Sequence, residues 1–418
     1  MPREKIITGI DIGSNKVSTA IATVHENKVS IIGVSGAVPS KGIKRGSVVD
    51  IDSAVESIST SLERAERMAG VSVSSAFVTL NGSHIQTQNS HGVVAVSPQI
   101  GEITREDVLR VTEAAQAVSL PSSRQIVHVI PRDFIVDSQE GIKDPVGMAG
   151  VRLEVETNIV HGSATAMKNL VKCIDQVGVE VQELIYVALA SSEAVLTDTE
   201  KELGTILVDI GGGTTSLIAY MEGSPVYSSV LGIGAKHITS DLAIGLRTRL
   251  DDAERIKLKL STLATTMDSS QGHTIKEETF DVSEFGLDQD EVPIRFLREI
   301  VNARTKEIFN MVALELNKAG LLGKLPAGAV VTGGGAQTFD VQEVAKKILK
   351  MPVRIGTPTG VTGLIDEIRG PDFAGTVGAI LYGVDMLRSN SLLFLDKSQG
   401  KIGKSLQSFF EKIKSFLP

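Results

Sequence analysis

The sequence has no tryptophan, one cysteine, and only four tyrosines and twelve phenylalanines. With so few rings, its cores must be built from Val, Ile, Leu and Ala. The single cysteine, Cys173, excludes an intramolecular disulfide and a cysteine metal cluster. A lone thiol of this kind reads as a small buried hydrophobe and suits a reducing compartment, the cytosol. No apolar run approaches the roughly 18 residues a membrane-spanning helix needs, so any membrane contact is expected to be peripheral. The N-terminal apolar run of MPREKIITGIDIG is broken by Asp11 and is too short for a signal-peptide core. The formal net charge of −8 implies no broad basic surface, which argues against nucleic acid as a partner.

What remains is an ordinary globular composition, 42% hydrophobic and 22% charged, over 418 residues. That length calls for two or more domains. The segment 5–12 is β-rich and runs through Gly13-Ser14-Asn15 into a second apolar stretch, 16–24, with a third strand at 29–38. A helix is expected at 51–70, where Val55, Ile58, Leu62 and Ala65 recur at helical spacing and Gly70 can end it. A strand follows at 75–80. From 81 to 162 the character shifts to a small α/β unit. Its helix starts at Thr104, with Glu106 and Asp107, and strands lie near 125–136 and 151–160. In the latter, Val151, Leu153, Val155 and Thr157 share a face. Helix 164–177, strand 181–187 and helix 191–198 lead to the buried strand 203–210. Later expectations are a strand at 217–221, helices at 238–243, 252–261 and 294–318, a strand at 329–332 and a helix at 374–385. Acidic turns separate strands in 273–291.

One long-range echo stands out. Asp11-Ile12-Gly13-Ser14-Asn15 and Asp209-Ile210-Gly211-Gly212-Gly213-Thr214-Thr215 both end a strand and precede a returning one. Glycines let backbone N–H groups approach phosphate oxygens without an intervening Cβ. The hydroxyls of Ser14, Thr214 and Thr215 could add donors, and Lys16 follows the first turn. Asp11 and Asp209 would repel phosphate directly but could hold Mg²⁺ through water. A third glycine element, Gly333-Gly334-Gly335, follows the strand at 329–332 and would pass beneath a base or ribose. The pattern is neither a Walker loop nor a G-x-G-x-x-G fingerprint. Either hairpin alone could be a plain glycine turn; together they point to a nucleotide.

These three elements in this order resemble the superfamily of actin, the heat-shock chaperone ATPase and the sugar kinases. That resemblance implies an α/β, actin-like fold in which two ribonuclease-H-like lobes clamp ATP. It further implies that 189–196 and F-A-G-T-V-G-A-I-L-Y-G at 373–383 are the two connecting helices. Glu193 would position the attacking water, the alternative being an ordinary surface glutamate. Glu254 and Lys257, in D-A-E-R-I-K, would reach the ribose and adenine, with Gly234 in the preceding loop.

The insertion at 81–162, with L-A-S-S-E-A-V-L-T at 189–197 and G-A-K-H-I-T-S-D-L-A at 234–243, resembles the FtsA family of bacterial cell division. The insertion is also similar to that of the pilus-assembly adaptor PilM. The implied organisation is a first lobe at 1–80 and 163–197 and an inserted interaction subdomain at 81–162. The second lobe would be 198–232 and 305–388, with a further subdomain at 233–304. A linker would span 389–400 and a terminal helix 401–418. On a helical wheel Ile402, Leu406, Phe409, Phe410, Ile413, Phe416 and Leu417 fall within an arc of about 120°, with Lys404, Lys412 and Lys414 outside or beside it. A basic, aromatic-rich amphipathic end of this kind suits the surface of a bilayer carrying anionic lipids, although a helix docked on the protein's own core would show a similar stripe.

By resemblance the chain would polymerise and tether the FtsZ ring to the inner face of the cytoplasmic membrane. ATP would be mainly structural and any ATPase activity weak. The terminal peptide of FtsZ would bind near Arg298 and Arg304, and other division proteins would meet the insert. The alternatives are a PilM-like cytosolic pilus adaptor and, more remotely, a sugar-kinase-type phosphotransferase.

Overall fold

A computed structural model describes residues 5–25, 28–97, 101–267, 279–285 and 290–396. Residues 401–418, and with them every residue of the expected membrane stripe, lie outside the described residues. Within these segments the buried apolar side chains form four clusters, the largest centred on the first unit but reaching into the second and the insert.

The first unit is built on the strand Lys5–Ile12, which turns at Gly13 and returns antiparallel as Lys16–His25, pairing Ile12 with Val17. The turn is closed by Gly13 N–H donating to the Lys16 carbonyl at 2.9 Å. Around this hairpin the sheet runs Glu180–Tyr186, Ser75–Leu80, Lys5–Ile12, Lys16–His25, Lys28–Val34, Thr362–Gly363, with Val38–Pro39 paired off Lys16–His25. Helix Ile51–Ala69 packs on one face. Asp50 caps its N-terminus, and Gly70, at φ 69°, ends it in the left-handed conformation that glycine adopts without strain. Cys173 is buried in this core.

The second unit repeats the plan. Strand Thr205–Ile210 turns at Gly211 and returns as Thr215–Met221, with Ile210 opposite Thr215 and Gly211 N–H donating to the Thr214 carbonyl at 2.9 Å. Its sheet order is Ser224–Leu231, Thr215–Met221, Thr205–Ile210, Gly328–Thr332, Val353–Ile355. The third unit carries helices Ala235–Leu246 and Leu250–Met267 against the start of Ile294–Lys318, around a core that includes Leu242, Ile256, Phe280 and Leu297.

The fourth unit is the insert. Its sheet runs Gln139–Ile142, Arg124–Val136, Arg152–Ser163, Gln86–Ala95 and is antiparallel throughout. Helix Arg105–Gln116 covers one face and opens with a Thr104/Asp107 capping box, which satisfies two backbone donors reciprocally. Leu153, Val155 and Thr157 are buried as expected, but Val151 precedes the strand and is 70% exposed. The polar strand Gln86–Ala95 has no counterpart in the sequence reading.

Two helices join the lobes, Val187–Val195 and Ala374–Asp396. They cross so closely that a Cβ on Gly378 would overlap the Ala190 carbonyl. The first begins before the expected 189–196. The second runs on to Asp396, into the stretch read as a linker from 389. The second-lobe stretch 305–388 also proves divided. Thr362–Gly363 pairs in parallel with Lys28–Val34, and Ala374–Asp396 packs on the first hairpin, so the chain returns to the first lobe before residue 388.

Candidate functional site

The two hairpin turns face each other across the junction of the lobes. A Cβ on Gly212 would come 2.8 Å from the Asn15 Cβ, and one on Gly213 3.0 Å from Ser14 Oγ. Only glycine allows this approach. Gly234 is equally constrained, since its Cβ would lie 2.8 Å from both the Gly212 carbonyl and the Thr214 N. Helix Ala235–Leu246 therefore starts directly on the second turn, with Ala235 and Lys236 N–H donating to the Gly211 and Gly212 carbonyls at 2.9 and 2.8 Å.

The aspartates that precede the turns are the chemical centre. Asp11 Oδ1 accepts from Thr79 Oγ1 at 2.5 Å, and Asp209 Oδ2 accepts from Ser191 Oγ at 2.7 Å. Burial pushes both carboxyls above the usual carboxylate range, Asp209 to about 7, where the charge on Asp11 adds to the effect. Lys16 acts in the opposite sense on both. Its ammonium sits 2.6 Å from Asp372 Oδ2 and 3.6 Å from the centroid of the Phe373 ring. Asp372 also accepts from Gln337 Nε2 at 2.7 Å, tying the first turn, the third glycine element and the start of the second connecting helix together.

In that third element Gly333 has φ 81° and donates to the Pro371 carbonyl at 3.0 Å. A Cβ there would overlap Asp209, and one on Gly335 would overlap the Ile210 side chain. Gly334 has only the Asp372 Cβ nearby, at 3.7 Å from such an atom. The three glycines thus lie against the second aspartate loop.

The hydroxyls divide. Ser14 Oγ accepts from Gly46 N–H at 2.9 Å and Thr214 Oγ1 from Asn81 Nδ2 at 2.9 Å, so each keeps its own proton to donate. Thr215 instead donates to the Ile233 carbonyl at 2.9 Å and is fully buried, so its proton is committed to the segment that leads into helix Ala235–Leu246 and not to a phosphate. Glu254 and Lys257 lie together beside the loop, with Lys257 Nζ 2.7 Å from Glu254 Oε2 and Thr239 donating to the same carboxylate. Lys236 joins them: its Nζ donates to the Ser14 carbonyl at 2.7 Å, and burial lowers its pKa, opposed by Glu254 and reinforced by Lys257.

Glu193 is not in this group. Its carboxylate accepts from Lys201 Nζ at 2.9 Å. On a helix, residues two apart point about 200° from each other, and it is Ser191 that reaches Asp209. Arg298 and Arg304 are also committed. Arg298 grips both oxygens of Asp340, and Arg304 those of Asp241 at 2.7 and 2.9 Å, which raises the Arg304 pKa. Ser191, Thr79, Asn81, Lys236 and Asp372 were not singled out from the sequence. Lys236 and Asp372 stand beside glycine motifs that were, whereas Thr79, Asn81 and Ser191 become visible only through tertiary contact.

Comparison with known proteins agrees with this architecture. Residues 82–161 match a family profile described as the SHS2 domain inserted in FTSA, and residues 206–378 one described as cell division protein FtsA. The cell division protein FtsA of Pseudomonas aeruginosa is 39% identical over 91% of this chain and 89% of its own length. The chain belongs to the FtsA family. The FtsA of Borreliella burgdorferi is 37% identical over 97% of this chain and 98% of its own, so the likeness to FtsA is end to end. Among solved structures, a PilM–PilN type IV pilus biogenesis complex is similar at TM-score 0.61 and 17% identity, covering 90% of this chain and 98% of that one. MreB5 of Spiroplasma citri bound to AMPPNP is similar at TM-score 0.53 and 13% identity, covering 95% and 100%. These two likenesses establish the actin-like fold. The chain is thus an FtsA-family cell-division protein of actin-like fold. Among the described residues no helix is long and apolar enough to cross a membrane.

Proposed function

We propose that the chain binds ATP with Mg²⁺ between its lobes, that the bound nucleotide favours an actin-like filament, and that the filament holds the FtsZ ring to the inner face of the cytoplasmic membrane through residues 401–418. The single observation that carries the nucleotide reading is the pair of mirrored D-I-G hairpins converging on one another, with the buried Asp209 and the half-buried Asp11 at their roots. The residues fit the group. Two carboxylates whose pKa values burial raises, that of Asp209 also by the charge on Asp11, make an oxygen-donor set suited to a hard divalent cation, and the glycine turns leave no Cβ to exclude phosphate. Asp11 and Asp209 would hold the metal, Ser14 and Thr214 would donate to phosphate, and Glu254 with Lys236 and Lys257 would line the ribose and base. Bound Mg²⁺ supplies charge neutralisation.

Residues 401–418 supply weak adhesion, because one amphipathic helix with a few lysines binds reversibly, and a filament multiplies it into stable attachment. The acidic terminal peptide of FtsZ docks on the unit 233–304. Arg298 and Arg304, gripped by Asp340 and Asp241, shape that surface and are not free cations awaiting a ligand. Other division proteins engage the insert. The pilus-adaptor alternative rests on shared fold alone, and no residue has been identified for a phosphotransferase.

The test is co-sedimentation with anionic liposomes, with and without Mg-ATP, comparing the full chain with one ending at residue 400. The full chain should pellet with liposomes, more so with nucleotide, and the shortened chain should stay in solution. Lipid binding retained by the shortened chain would refute the tail's role.

A further inference from the structure

The insert meets the second lobe along that lobe's edge strand. Thr87 Oγ1 donates to the Ser228 carbonyl at 2.6 Å, and Ser224 Oγ donates to the Arg132 carbonyl at 3.0 Å. Beside this seam lies a cavity of about 510 Å³, within the usual range for small-molecule sites. Arg124, His161 and Ser228 line it, with carboxamides and hydroxyls such as Gln86, Gln88 and Ser119 around them. None of the residues of the three nucleotide loops lines it.

Its polar groups are unbalanced toward donors. Arg124 Nε donates to His161 Nδ1 at 2.7 Å, and its Nη2 to the carbonyls of His84 and His161 at 2.8 and 3.3 Å. No carboxylate pairs with Arg124 among the described residues, and its Nη1 has no partner among them. Because His161 Nδ1 accepts, the proton of its neutral ring sits on Nε2, a second donor. Burial and the neighbouring Arg124 lower the His161 pKa. Ser228 is 2% exposed, and its buried Oγ has no hydrogen-bond partner. Native structures seldom leave such a group unsatisfied without a reason. Glu315, which Tyr227 and Ser229 of the edge strand reach, is already engaged by both of them and by Lys318.

We propose that this cavity binds a small oxyanion-bearing polyol, of the glycerol-phosphate class, with the phosphate on Arg124, His161 and Ser228 and the hydroxyls on the surrounding carboxamides. Nη1 of Arg124 has two N–H groups left to donate to phosphate, and the guanidinium charge strengthens each hydrogen bond. The volume far exceeds what a bare phosphate fills, and the polar lining suits a hydroxylated remainder. Occupancy would bridge the insert to the second lobe. The same chemistry is available free in solution or as the headgroup of phosphatidylglycerol.

The experiment follows the His161 imidazole by NMR in the full chain, titrated with sn-glycerol 3-phosphate and, as controls, inorganic phosphate and neutral glycerol. A bound anion should raise the His161 pKa, glycerol should leave it unchanged, and glycerol phosphate should saturate at lower concentration than inorganic phosphate. Arg124→Gln should weaken binding about tenfold or more, and Ser228→Ala, whose hydroxyl holds nothing else, by about threefold to tenfold. The second variant keeps the test sharp if the first loosens the insert. Phosphatidylglycerol vesicles that shift His161 in the chain ending at residue 400 would identify the headgroup as the source, and a shift with the soluble compound alone would identify the free metabolite. No change at His161 with any anion, or equal binding by both variants, overturns the proposal.

Discussion

Burial changes the acid–base chemistry of Asp209. Burial and Asp11 raise its pKa to about 7, so between about pH 4 and 7 the folded protein retains a proton that the unfolded chain has released. The sign follows from that difference. The folded state binds more protons, so this group makes stability fall as pH rises through the window, and below it the penalty is absent. In cation-free buffer Asp209→Asn should therefore raise the melting temperature, by on the order of 2 °C near pH 8 and less near pH 5. The same variant should lose the stabilisation that Mg-ATP gives the wild type. Differential scanning calorimetry at the two pH values checks both, and a variant still stabilised by Mg-ATP would remove Asp209 from the metal site.

At the scale of elements, the crossing of the two connecting helices depends on a missing side chain. Gly378→Ala would drive a methyl group into the Ala190 carbonyl, on backbone that cannot rotate away. A loss of about 1–3 kcal/mol is expected, as for other overpacked cores, measured by denaturant unfolding, with nucleotide affinity falling in parallel because the crossing sets the spacing of the two turns. Elements whose pattern is carried by apolar periodicity or glycine were legible in the sequence. Lys5–Ile12, Ser75–Leu80 and Ile294–Lys318 occupy the bounds read from their residues. Strand Gln86–Ala95 was not legible, because it is a polar sheet strand with one residue, Gly92, fully buried among its ten, and that glycine is there to admit helix Arg105–Gln116. Within the site, the aspartates and glycines announce themselves by repetition. Ser191 does not, because a serine in an apolar helix carries no sign of which neighbour it will meet, and Glu193 is marked by its place in the connecting helix of the superfamily it resembles, not by a contact with the site.

At the scale of the molecule, the lobes share one continuous core: Leu207, Ile218 and Val330 of the second pack into the first-lobe cluster through the connecting helices. Closure of the lobes about the proposed nucleotide would therefore move whole sheets against a shared hinge. The insert joins that core at its base, through Ile85 and Val160. Its first and last strands lie side by side, Gln86 opposite His161, and most of its buried apolar residues form a cluster of their own. A fragment of residues 82–162 should accordingly fold alone, with a cooperative thermal transition and dispersed amide resonances, whereas a fragment of residues 1–80 should not. A disordered 82–162 would mean that the insert depends on its seam with the second lobe.

That contrast bears on how the protein is made. The strand Thr362–Gly363 completes the sheet that the first residues begin, and Ala374–Asp396 seals its face. On the ribosome, the N-terminal hairpin must wait for the synthesis of more than three hundred further residues before its own sheet is whole, while the insert can be finished long before. The lobe made first is thus the last to close, and the hairpin that roots the first aspartate acquires its final surroundings only when nearly the whole chain has emerged.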